Sequence, residues 1–111
     1  MIEAWKIVEI DNSGNYKMLF HGLDGSRIIP ENEWLTAEEK LVRDGTSKTY
    51  YLSGWHVLLE RQHAVDYLKA FKNRLDKLKI IKVLVKDIRP KEHSPSPVFL
   101  AKEMLMPLTN Q

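Results

Sequence analysis

The chain has 111 residues, of which 43% are hydrophobic and 29% charged, with no cysteine and a formal charge of +2. That length supports one domain spanning residues 1–111, and the apolar content excludes global disorder. Disulfides, thiolate metal sites and cysteine nucleophiles are excluded outright, and no apolar run reaches the ~18 residues of a membrane-spanning helix.

Met1–Lys6 lacks the basic-then-apolar order of a secretory leader. With no cysteine to oxidise, a cytoplasmic location is the expectation. The first predicted strand is Ile2–Ile10. Ile2, Ala4, Val8 and Ile10 share one parity, with Lys6 as the polar exception, and Trp5 and Ile7 occupy the other. Asp11-Asn12-Ser13-Gly14-Asn15 reads as a turn, and Tyr16–His21 as a second strand that completes a hairpin. His21–Ser26 is a loop, and Ile28-Ile29 a short extended contact before Pro30.

Thr36-Ala37-Glu38-Glu39 has the form of a capping box, predicting a short helix from Ala37 to Arg43 that stops near Gly45. Lys48–Leu59 is aromatic and aliphatic, with a bend or bulge expected at Gly54. Ala64, Leu68, Phe71, Leu75 and Leu78 recur at spacings of four and three, predicting a long amphipathic helix over Arg61–Leu78. Ile80–Ile88 is a strand with Ile81, Val83 and Val85 on one side and Lys82, Leu84 and Lys86 on the other. Pro90 and Ser94-Pro95-Ser96-Pro97 form a stiff connector. Val98–Met106 is the last strand, ended by Pro107. The expected architecture is α+β: a mainly antiparallel sheet with one long amphipathic helix and one short helix packed on it.

Charge is unevenly spread. Residues 1–60 hold six Lys and Arg against ten Asp and Glu, a net −4; residues 61–91 hold ten against three, a net +7. The basic segment points to an acidic partner, protein or nucleic acid, whose affinity would fall steeply with salt. On the predicted helix, Lys69, Lys72, Arg74 and Lys77 are the candidate partner-binding residues. Asp66 and Asp76 lie among them, so the same charges also fit an ordinary solvated helix face.

Catalytic and metal motifs are sparse. Glu60-x-x-His63 is half of a di-metal helix motif without a second copy, so no metal is expected. Ser53-Gly54 does not form a nucleophile elbow, and Gly22-x-x-Gly25 lacks the Lys-Ser/Thr of a phosphate loop. These absences favour a small non-enzymatic binding or accessory module without a cofactor. A homodimeric structural role fits the same features.

One order of residues points elsewhere. Phe20-His21-Gly22 closes an early strand, Tyr50-Tyr51 precedes Ser53-Gly54-Trp55-His56-Val57, a helix carries Ala64 and Tyr67, and Glu103 follows near the terminal strand. This order resembles small ADP-ribosyltransferase-like domains across roughly residues 16–106. The resemblance implies NAD as cofactor. It would have His21 hold the adenosine-side ribose, Tyr50 or Tyr51 stack on nicotinamide, and Glu103 polarise the nicotinamide ribose. A fixed carboxylate there would stabilise the positive charge that develops on the ribose as the glycosidic bond breaks.

Overall fold

The computed structural model describes residues 1–19, 28–43, 50–70, 77–92 and 97–108. The first strand, β1, covers Ile2–Ile10 as predicted. Its turn is set by Asp11, whose Oδ1 accepts from the backbone N–H groups of Ser13 and Asn15, each at 2.9 Å. Those donors, Asn15 first, hold the Asp11 carboxyl below its usual range. Gly14 takes the left-handed φ of 83° that the turn requires. The chain then returns as β2, Tyr16–Lys17, paired antiparallel with Glu9 and Ile10.

Three short strands follow: β3 at Trp34–Thr36, β4 at Leu41–Arg43 and β5 at Tyr50–Leu52. Next come β6 at Trp55–Val57, the helix α1 at Arg61–Leu68, β7 at Leu78–Pro90 and β8 at Phe99–Leu105. The principal sheet runs β2-β1-β7-β8-β3, with β6 also on β8, while β4 and β5 form a separate ribbon. Every strand pairing among the described residues is antiparallel. β1 and β7 pair without interruption from Ile2↔Val85 to Glu9↔Leu78.

Backbone bonds outside these ladders join the edges of the sheet. Trp5 and Leu58 exchange N–H···O bonds of 2.7 and 2.8 Å, carrying the chain after β6 onto the free edge of β1. On the other side, the Ile29 N–H donates to the Tyr16 carbonyl at 2.8 Å and the Asn32 N–H to the Met106 carbonyl at 2.7 Å. The sheet therefore curls into a small barrel. Ala4, Val8, Leu35, Trp55, Val57, Ile81, Val83, Val85 and Met104 fill its interior.

Alternation along β7 reverses at Asp87, which adopts a φ of 54°. Val85 and Ile88 are three residues apart yet both pack on this core, and so do Ala101 and Met104 opposite them. The register is unchanged across the reversal, with Lys86↔Glu103 on one side and Ile88↔Ala101 on the other. At that point the outer edge of β8 changes partner, from β3 to β6. Gly54 lets β6 approach: a Cβ there would lie 3.0 Å from the Ala101 carbonyl oxygen.

The α+β expectation is corrected: the molecule is mostly antiparallel strand, with one short helix among the described residues. The predicted helix over Arg61–Leu78 ends at Leu68, with Lys69 as its C-cap. Residues 71–76 lie outside the described residues, and Leu78 already belongs to β7, paired with Glu9. The helical spacing of Leu78 coincided with a strand position. The helix predicted at Ala37–Arg43 is not formed. Thr36 ends β3, the Ala37 N–H donates to the Lys102 carbonyl at 2.7 Å, and Leu41–Arg43 is strand. A helix that short has little stability of its own, so backbone donors offered to a neighbouring strand prevail. The strand predicted at Tyr16–His21 ends at Lys17: Met18 and Leu19 are not strand, and Phe20 and His21 lie outside the described residues. α1 lies outside the barrel, where fully buried Ala64 meets Leu58 and Val98, with Trp5, Tyr67 and Ile80 around them.

Candidate nucleic-acid interface

The outward face of the sheet follows from strand alternation. Val83, Val85 and Met104 point into the core, so Lys82, Leu84, Lys86, Glu103 and Leu105 point out. Cross-strand register adds their neighbours. Trp5 lies opposite Lys82, Glu3 opposite Leu84, Trp34 opposite Leu105, and Thr36 opposite Glu103.

Two ammonium groups on this face lie over indole rings. Lys86 Nζ is 4.1 Å from the Trp34 ring centroid and Lys82 Nζ is 5.4 Å from that of Trp5. Lys86 is exposed, whereas Trp34, Leu84 and Leu105 are half-buried. Trp5 is half-buried too and packs against the small core under α1. Two carboxylates share the face: Glu3 Oε2 lies 3.6 Å from Lys82 Nζ, and Glu103 pairs in register with Lys86. The face is thus aromatic and dipolar rather than uniformly basic.

Three other groupings carry polar chemistry. Lys6 shares the inward parity of Ala4 and Val8, and it is only 6% exposed. Its Nζ donates to the His56 carbonyl at 2.9 Å, next to the seam where Leu58 bonds Trp5. Burial without a counter-charge lowers its pKa to about 8. At the end of β7, Arg89 Nη2 donates to the Leu52 and Ser53 carbonyls at 2.6 and 3.0 Å, and its Nη1 lies 3.6 Å from Glu39 Oε1. These bonds tie the β4–β5 ribbon to the barrel. At the opposite end, the Tyr16 hydroxyl accepts from Lys79 Nζ at 2.9 Å, beside a cleft of about 260 Å³ lined by Tyr16, Pro30, Glu31 and Met106.

The sequence-predicted partner residues do not share one helix face. Lys69 is exposed at the end of α1, 3.9 Å from Asp66, and Lys77 is exposed just before β7. Lys72 and Arg74 lie outside the described residues. Of the residues singled out by the transferase resemblance, His21 also lies outside them. Tyr50 is exposed opposite Arg43. Tyr51 sits edge-on to His56, its hydroxyl 3.5 Å from Nε2, with Lys91 over its ring at 4.7 Å. Both tyrosines belong to the two-stranded ribbon, whereas Glu103 lies on the outward face of the principal sheet.

Glu60 and His63 form a local pair at 3.1 Å. Among the described residues, no three His, Cys, Asp or Glu side chains converge as a metal site. No helix among them is long and apolar enough to cross a membrane. The residue that sequence reasoning missed is Trp34. The outward parity of Lys82 and Lys86 was readable in the sequence, but nothing local announces that Trp34 lies two strands away on the same face.

No protein-family model, curated protein or solved structure matches this chain.

Proposed function

We propose that this chain is a non-enzymatic binding module that holds nucleic acid on the outward face of β7 and its neighbouring strands. The observation that carries this reading is the Lys86–Trp34 pair, an exposed ammonium against a half-buried indole, beside Lys82 and the apolar Leu84 and Leu105. Nucleic acid offers both complements: phosphate for the ammonium groups, and flat bases for the ring. The reading requires neither cofactor nor metal. It relocates the contact from the predicted basic helix to the second half of the same basic segment.

The test is fluorescence anisotropy of a labelled oligonucleotide titrated with the intact chain at low salt. The expected result is saturable binding that the double substitution Lys82→Gln/Lys86→Gln weakens by about tenfold. No saturable binding at low salt would overturn the reading.

A further inference from the structure

We infer that the nucleic acid is single-stranded, with one base stacked on Trp34 and phosphates of the same strand met by Lys86 and Lys82. This deepens the preceding reading and rests on it. The first argument is charge. Duplex binding without base readout depends on several uncompensated cations along the backbone. Here the two outward lysines share their face with Glu3 and Glu103, one of them within 3.6 Å of Lys82. Phosphate attraction alone is therefore weak on this face, and another contact must carry the affinity.

The second argument is shape. Trp34 lies on a strand of the sheet, half-buried, with Lys86 over its ring at 4.1 Å. Bases inside a duplex are stacked on one another and offer only their edges to the grooves. A single strand exposes base faces, which is what an indole on a sheet can receive. The Lys86 ammonium can swing from ring to phosphate as a base takes its place, so the pair is exchanged for two contacts with the same ligand. The third argument is length. Lys82 and Lys86 are four residues apart along an extended strand, about 13 Å. At that spacing the two ammonium groups meet different phosphates of one strand.

The experiment compares the intact chain's affinity for an oligothymidylate of about 12 nucleotides, a duplex of the same length and a polyglutamate chain, each across a salt series. Tryptophan emission is recorded in parallel. The expected results are at least about tenfold preference for the single strand, quenched emission, and a log–log salt slope near −1.4, as two phosphate contacts give. Trp34→Leu should lose about tenfold in affinity, and Trp34→Phe should recover most of it by restoring a ring. Circular dichroism of each variant establishes that it is folded. Equal or tighter duplex binding, or Trp34→Leu binding as well as the parent, overturns stacking while leaving nucleic-acid binding intact. Polyglutamate bound as tightly as the single strand also overturns it. Binding to none of the three removes the function reading as well.

Discussion

Lys6 places an ammonium group among the side chains of a barrel interior because strand alternation gives it the parity of Ala4 and Val8. Its bond to the His56 carbonyl supplies at the seam what a backbone donor supplies at Trp5 and Leu58. Charging a buried amine is costly, so its pKa falls from 10.5 to about 8. The folded state therefore disfavours the proton that the unfolded chain retains. Stability is lower below the folded value and rises as pH climbs from about 8 toward 10.5. Across that window the gain is about 3 kcal/mol. Urea denaturation at pH 7 and pH 9.5 checks it: the parent should gain stability relative to Lys6→Met as pH rises. A parallel pH response in both proteins would show that Lys6 is not its source.

At the scale of elements, the apolar weight sits in β7 rather than in α1. Ile81, Val83 and Val85 are all at most 1% exposed, whereas Ala64 is the only buried residue of the helix. Ile81→Ala should cost about 2–5 kcal/mol, the usual range for truncating a buried side chain. Leu68 is half-buried, so Leu68→Ala should cost about 1 kcal/mol. Chemical denaturation of the two variants measures the difference, and equal losses would mean that the helix shares the principal core. The same spacing that predicted a long helix was accurate over Ala64 and Leu68, and it failed where Leu78 was claimed by the pairing with Glu9. The capping box at Thr36 failed for a related reason. The backbone donor of Ala37 was taken by Lys102, distant in sequence and adjacent in space.

For the whole molecule, closure depends on a reversal at one residue. Asp87, at φ 54°, lets β7 keep its inward face past the point where β3 yields to β6 on the neighbouring strand. Asp tolerates the left-handed region better than a β-branched residue does. Asp87→Val should therefore cost about 1–3 kcal/mol, and Asp87→Gly should be tolerated, as read from thermal unfolding. A Val variant as stable as the parent would mean that the reversal imposes no strain. The outward face depends on the same closure, because Trp34 reaches Lys86 only when β3 is held against β8.

The sequence by itself determined the long strands and their sidedness. Alternation sorts the side chains of Ile2–Ile10 and, up to the reversal at Asp87, those of the strand from Ile80 between two faces, and Asp11–Asn15 encodes its turn through bonds only two to four residues long. Gly54 likewise marked the break between β5 and β6. Tertiary structure alone decided the barrel, the loss of the short helix, the burial of Lys6 and the meeting of Trp34 with Lys86. Each of these depends on which strands become neighbours, and backbone donors and apolar faces choose partners across distances that no local pattern records.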